Sequence, residues 1–93
     1  QVLAIFRTLN TDVAVIGLHL KQLTLTDRLS WSLQLSNGIK VELGQDNIPS
    51  RFKQFVQYYP RIIGEKSSSV TSVDLRYTDG IAVKRNKNSS YQR

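Results

Sequence analysis

The chain has 93 residues, of which 40% are hydrophobic and 22% charged, and it contains neither cysteine nor methionine. This length suits one compact domain with a modest core, and the lack of cysteine excludes disulfides, zinc–thiolate sites and thiol chemistry. No run of about 18 consecutive apolar residues occurs, so we expect no membrane span within this sequence. Because an open reading frame begins with methionine, we expect a piece of a longer protein, whose N-terminal portion can carry targeting or membrane segments.

The net charge of +6 is concentrated near the C-terminus. Residues 84–93 carry four basic residues and no acid, so residues 1–83 hold nine basic and seven acidic residues. We predict a folded body, residues 1–85, followed by a solvated basic polar tail, residues 86–93. The high charge leaves a basic nucleic-acid-binding module as an alternative. A nucleic-acid footprint, however, gathers its Lys and Arg on one face of the fold, so we expect no nucleic-acid partner.

The first elements are a helix and an irregular strand. Apolar residues at helical spacing predict an amphipathic helix over residues 1 to about 10, which residues 10–12 end. Residues 13–25 read as a strand, but its apolar positions change from even to odd between Leu20 and Leu23. Because a one-residue slip moves side chains to the other face, this change predicts a bulge or turn at Lys21–Gln22.

The next segment predicts a β-hairpin around Ser36-Asn37-Gly38. Apolar and polar residues alternate on both sides of it, over residues 29–35 and 39–43. A two-residue Asn-Gly turn would place apolar residues opposite polar ones. A three-residue loop with Gly38 in the left-handed region puts apolar pairs on one face. These predicted pairs are Leu35 with Ile39, Leu33 with Val41 and Trp31 with Leu43.

A second helix is predicted at about residues 47–60, with Asp46 as its cap. Its buried stripe consists of Phe52, Phe55, Val56 and Tyr59. Pro60 lacks an N–H and is expected to end or kink the helix, with Ile62 and Ile63 packing beyond it. Residues 64–69 are predicted to form a loop.

A closing hairpin completes the predicted fold. Val73, Leu75 and Tyr77 share one face, and a three-residue loop at residues 78–80 would pair Tyr77 with Ile81 and Leu75 with Val83. The predicted class is α+β, a largely antiparallel β-sheet with two packed α-helices.

The residues of an enzymatic site are missing from the sequence. The single histidine, His19, has no cysteine or second histidine with which to form a dyad or a metal site. The five glycines match no phosphate-binding loop. We therefore expect no catalytic residue, no metal, no cofactor and no small-molecule substrate.

Three segments follow one another in a specific order. They are a tryptophan strand and hairpin ending in Leu-Gly, an aromatic helix ending in Tyr-Pro, and a closing hairpin, namely SWSLQLSNGIKVELG (30–44), RFKQFVQYYP (51–60) and VDLRYTDGIAV (73–83). In this order and spacing the chain resembles the membrane-distal β domain of the bacterial cell-division family FtsQ, also called DivIB. The resemblance covers residues 28–85.

The resemblance implies a scaffold without enzymatic activity. Proteins of this family have one inner-membrane span, then a POTRA domain and this β domain in the periplasm. They recruit divisome proteins, chiefly FtsB and FtsL, to the division septum. We therefore expect a single-pass inner-membrane protein, anchored through an N-terminal span outside this sequence.

The resemblance also implies a partner site on the last hairpin, where FtsB extends the sheet by β-augmentation. Arg76 matches an arginine that pairs with a partner carboxylate, Tyr77 an aromatic contact and Gly80 a close turn. The full set of predicted partner-binding residues is Arg76, Tyr77, Asp79, Gly80, Ile81, Ala82, Val83, Arg85 and Arg28.

Two positions depart from the family pattern. Some members carry a small residue where Asp79 stands and a tryptophan at the position of Arg85, so charge replaces an aromatic contact here. A structural alternative stays open, in which Arg76 is a solvated strand residue and four residues form only the core face of a sheet, namely Leu75, Tyr77, Ile81 and Val83.

Overall fold

A computed structural model describes residues 2–77 and 80–85. The predicted tail, residues 86–93, and Asp79 lie outside these residues. The elements, in chain order, are α1 (Val2–Ala14), β1 (Leu20–Leu25), β2 (Trp31–Leu35), β3 (Lys40–Gly44), α2 (Ile48–Ile62), a 3₁₀ helix (Gly64–Ser69), β4 (Val70–Asp74) and β5 (Ala82–Arg85).

The five strands form one sheet in the order β1-β2-β3-β4-β5. All neighbours are antiparallel except β3 and β4, which are parallel. A parallel pair needs a long crossover connection, and α2 with the 3₁₀ helix provides it. The α+β class with a largely antiparallel sheet is confirmed.

The core lies between one face of the sheet and the two helices, which also contact each other. Its largest fully buried side chains include Phe52 and Phe55 of α2 and Leu9 of α1. These pack against odd-numbered sheet residues, all buried, namely Leu33, Leu35, Val41, Leu43 and Val73. In β2, β3 and β4 the alternating residues on the other face are polar, as the alternation predicted, namely Ser32, Gln34, Lys40, Glu42, Ser72 and Asp74.

Helix α1 is longer than predicted, since it continues to Ala14 instead of ending at residues 10–12. Val13 is fully buried one helical turn after Leu9, so burial outweighs the β preference of its branched side chain. The strand begins only at Leu20, and the exposed His19 directly precedes it. The predicted bulge at Lys21–Gln22 is confirmed by a register shift between Leu20 and Gln22.

The β2–β3 hairpin has the predicted three-residue loop. Gly38 adopts a φ of +93°, and the N–H of Leu35 donates to the carbonyl of Ile39 at 2.9 Å. Leu33 lies opposite Val41, as predicted. Trp31 lies opposite Gly44 instead of Leu43, because the register shifts between residues 31 and 32.

Helix α2 buries the predicted aromatic stripe, but its ends differ from the prediction. The N-cap is Asn47 in the left-handed conformation, not Asp46. Pro60 lies within the last turn and does not end the helix, which runs to Ile62. The hydrogen bond that proline forfeits is only one, close to a terminus, and the buried Ile63 follows it. Residues 64–69 form a 3₁₀ helix, not a loop.

The closing hairpin has a different register from the predicted one. Val83 lies opposite Val73, not Leu75, and the pairing ends at Asp74 opposite Ala82. The shift is two residues, so the same side chains keep facing the core. Its cause is that Leu75 is held elsewhere, since its N–H donates to the carbonyl of Glu42 in β3 at 2.8 Å.

Candidate functional site

Five of the nine predicted site residues line two clefts near the N-terminal end of α2. The first, which we call the arginine cleft, has a volume of about 320 Å³ and is lined by Arg28, Ser30, Leu43, Gly44, Gln45, Asp46, Arg51 and Arg76. The second, the tyrosine cleft, has about 460 Å³ and is lined by Asn47, Ser50, Arg51, Gln54, Leu75, Tyr77, Gly80 and Ile81. Two of the three predicted arginines, Arg28 and Arg76, therefore share one cleft, although they come from distant parts of the chain.

Arg76 forms an ion pair with Asp74, two residues earlier. Its Nε donates to Oδ1 at 2.9 Å and its Nη2 donates to Oδ2 at 2.7 Å, while the backbone N–H of residue 76 also donates to Oδ1. The Arg76 side chain is 57% exposed and that of Asp74 only 20%. Because a guanidinium has five N–H donors, Arg76 can serve this carboxylate and still donate to a second acceptor.

Gly44, at the end of β3, fixes where the Arg76 side chain can lie. Its φ is +84°, and a Cβ at this position would meet the Cγ of Arg76 at 3.1 Å. A glycine is thus needed twice, for the left-handed backbone and for the close approach. The Leu-Gly sequence at the end of β3 therefore leaves room for the aliphatic part of the Arg76 side chain.

The Asp74–Arg76 pair predicts a pH-dependent contribution to stability. Side-chain hydrogen bonds from Arg76 hold the pKa of the Asp74 carboxyl below its usual range, against partial burial, which raises it. The folded protein therefore binds this proton less readily than the unfolded chain. The pair stabilises the fold above the unfolded pKa, near about 4, and this contribution is lost as the pH falls through the folded pKa.

Asp74→Asn is accordingly expected to cost up to about 1 kcal/mol of unfolding free energy at pH 7. The difference from the wild type should begin to shrink below about pH 4 and close as the pH falls through the lowered pKa of Asp74, where the folded wild type also loses the carboxylate. Urea unfolding of both proteins at pH 7, 5 and 3 measures this difference in unfolding free energy. A difference at pH 3 that equals or exceeds the difference at pH 7 would contradict the assignment.

Arg51 is a site residue to which the sequence prediction gave no role. From the first turn of α2 its Nη1 donates to the carbonyl oxygens of Leu75 at 2.6 Å and Tyr77 at 3.2 Å, and its Nε donates to that of Asp46 at 3.0 Å. The sequence did contain one feature from which a role for Arg51 could have been predicted. A cation in the first turn of a helix is electrostatically unfavourable, so an arginine there indicates a tertiary contact.

The residues of the last hairpin divide into two groups. Tyr77 is 58% exposed and is not part of the core face, contrary to the structural alternative. Ile81 and Val83 are partly buried against the core, as that alternative held. Gly80 and Ala82 are exposed.

Arg85 lies apart from both clefts. Its Nη2 and Nη1 approach the carbonyl oxygen of Ile62 and the Oγ of Ser69, each at 3.4 Å. Ile62 is the last residue of α2, where free carbonyl groups attract a cation, whereas the clefts lie at the other end of that helix. The structure thus brings Arg28 together with Arg76 and leaves Arg85 elsewhere.

The described residues, 2–77 and 80–85, contain no helix long and apolar enough to cross a bilayer. Within them, strand β5 has one hydrogen-bonded neighbour, β4, because it is the last strand of the sheet. An edge strand of this kind can accept a further strand from another chain.

The comparisons with known proteins identify the family. Residues 1–76 match the family model described as cell division protein FtsQ/DivIB, C-terminal. The match covers more than half of the chain, and the chain belongs to the FtsQ/DivIB family of cell-division proteins. The resemblance noted in the sequence is confirmed.

Curated relatives agree with this assignment. The cell division protein FtsQ of Vibrio cholerae is 40% identical over 83 residues, which are 89% of this chain and 32% of the relative. That of Coxiella burnetii is 49% identical over 61 residues, or 66% of this chain and 25% of the relative. That of Neisseria gonorrhoeae is 35% identical over 75 residues, or 81% and 31%. The chain thus spans a third or less of these relatives' length.

Proposed function

We propose that this domain is a non-enzymatic divisome scaffold that recruits FtsB and FtsL during bacterial cell division, with FtsB adding a strand to β5. The observation that carries the proposal is the position of β5 at the end of the sheet, paired on one side only among the described residues. Such a strand offers a row of free N–H and C=O groups to an incoming chain.

A short edge strand cannot supply the affinity alone. β5 has four residues, and each net main-chain hydrogen bond contributes only about 0.5–1.5 kcal/mol. Side-chain anchors are therefore required next to the strand. Exposed Tyr77 offers an aromatic contact, and Arg28 and Arg76 offer donors for a partner carboxylate in the arginine cleft.

Membership of the FtsQ/DivIB family supports the proposed setting. The domain would lie in the periplasm at the division septum, as part of a single-pass inner-membrane protein whose N-terminal span is outside this sequence. A folded interaction domain in this setting needs no cofactor and no small-molecule substrate.

The test is the affinity of the 93-residue chain for the periplasmic part of FtsB from the same bacterium. Arg76→Glu and Tyr77→Ala are each expected to weaken binding at least about tenfold, because charged and aromatic residues at an interface commonly carry 1–3 kcal/mol. Isothermal titration calorimetry measures the dissociation constant, and circular dichroism verifies the fold.

Matched controls lie on the helices. Arg7→Glu reverses a charge on an exposed residue of α1, and Tyr58→Ala removes the 37% exposed tyrosine of α2. Both control variants should bind like the wild type. Unchanged affinity for both Arg76→Glu and Tyr77→Ala would remove the proposed site.

A further inference from the structure

The segment between β4 and β5 is not part of either strand, and it leads to β5, the strand to which we propose that the partner binds. β4 ends at Asp74 and β5 begins at Ala82. Leu75 is buried, whereas Arg76 and Tyr77 are exposed. The two side chains proposed to anchor a partner therefore stand on backbone that β5 does not pair with.

Arg51, in the first turn of α2, holds the backbone of residues 75–77 by hydrogen bonds. Its guanidinium donates to the carbonyl oxygens of Leu75 and Tyr77, on either side of Arg76, and also to that of Asp46 just before α2. Hydrogen bonds from a charged donor are stronger than neutral ones. One half-buried side chain thus fastens the exit of β4 to the beginning of α2.

Arg51 also lines both the arginine cleft and the tyrosine cleft. A rotation of the 75–77 backbone would move Arg76 out of the first cleft and Tyr77 out of the second. The hydrogen bonds from Arg51 therefore orient both side chains that we propose as partner contacts, Arg76 and Tyr77.

We propose that Arg51 is a positioning residue for partner binding, which orders residues 75–77 so that Arg76 and Tyr77 are aligned before the partner arrives. The inference rests on the proposed function. Ordering a segment in advance raises affinity, because less conformational freedom is lost on binding. Arg51 acts through its neighbours and does not itself need to touch the partner.

The first test uses the free 93-residue chain and needs no partner. In Arg51→Ala, amide hydrogen exchange at residues 75 and 76 is expected to accelerate at least about tenfold, because local opening becomes easier. Lys53→Ala, which removes an exposed cation from the same helix, should exchange like the wild type. Equal exchange in Arg51→Ala and the wild type would overturn the inference.

The second test measures binding of the same FtsB fragment. Arg51→Ala is expected to weaken it about tenfold, and Arg51→Lys to an intermediate degree, since an ammonium group lacks the planar fork that bridges two carbonyls. If Arg51→Ala fails to fold, the affinity of Arg51→Lys for the FtsB fragment tests the inference. An intermediate loss of affinity supports the inference, and an affinity equal to that of the wild type overturns it.

A double-mutant cycle separates positioning from direct contact. In a chain that already carries Arg76→Ala and Tyr77→Ala, Arg51→Ala should weaken FtsB binding by less than about a further twofold. The reason is that the effects of coupled residues on affinity are not additive. The same full loss in this background would mean that Arg51 contacts the partner itself, and would overturn the inference. A wild-type chain that binds no FtsB would instead overturn the proposed function, independently of the exchange result.

Discussion

Phe55→Ala should lower the free energy of unfolding by about 3–5 kcal/mol, the usual cost of emptying a buried aromatic site. Phe55 is fully buried. Its ring centroid lies 5.7 Å from that of Phe52 and 5.7 Å from that of Tyr59, the latter in an edge-to-face arrangement. Loss of this ring removes the middle of the aromatic row that joins α2 to the sheet.

A domain of this length has a total stability of about 5–15 kcal/mol, so the variant should approach the limit of folding. Thermal unfolding should shift by more than about 10 °C, given about 4–8 °C per kcal/mol for small domains. Gln57→Ala, on the exposed side of the same helix, should stay within about 0.5 kcal/mol of the wild type. A loss below about 1.5 kcal/mol for Phe55→Ala would mean that the helix packs differently.

Gly44→Ala is expected to cost about 2–3 kcal/mol, the sum of left-handed backbone strain and a forced displacement of the Arg76 stem. The new Cβ would lie 3.1 Å from the Cγ of Arg76, at a φ of +84°. Displacing that stem also disturbs the bidentate contact with Asp74. We therefore expect weaker FtsB binding in addition to lower stability.

Gly38 provides a matched control, since its φ is +93° and a Cβ there would meet nothing within 4 Å. Gly38→Ala should show the backbone strain alone, about 1–2 kcal/mol, with unchanged binding. Urea unfolding and calorimetric titration of both variants separate the two effects. Equal stability losses and equal affinities for the two variants would rule out a role for the Gly44–Arg76 approach.

Local patterns in the sequence predicted the centre of the fold well. The β2–β3 hairpin was predicted in its loop length and in the Leu33–Val41 pair, because alternation on both sides allowed only one loop length to place apolar residues together. The bulge near Gln22 was predicted from a change of parity for the same reason. The hairpin and the bulge both depend on contacts between residues that are close together in the sequence.

The errors have a common physical origin in distant contacts. Val13 has a branched side chain that favours strands, and only its burial beside α2 and the sheet keeps it helical. The β4–β5 register could not be predicted because Leu75 pairs with Glu42, far away in the sequence. Arg51 was missed as a site residue for the same reason, since its acceptors are the carbonyls of residues 24 and 26 positions later.

The candidate site itself could be predicted in part. Family resemblance located Arg28, Arg76 and Tyr77, and the structure brings the two arginines to one cleft although 48 positions separate them. Arg85, which the resemblance places in the partner site, lies apart from both clefts, and its guanidinium reaches the last turn of α2. Its contact with a partner stays a prediction.

The single parallel pairing in the sheet has a consequence for the order of folding. Leu33 and Val41 are eight positions apart, whereas Val41 and Val73, partners across β3 and β4, are 32 apart. Closing the longer loop costs more chain entropy, so the meander β1-β2-β3 should form early and β4-β5 should join only after α2 has docked. The end of the sheet that we propose as the partner site is then expected to assemble last, and a partner strand would extend the sheet from the edge that folds last.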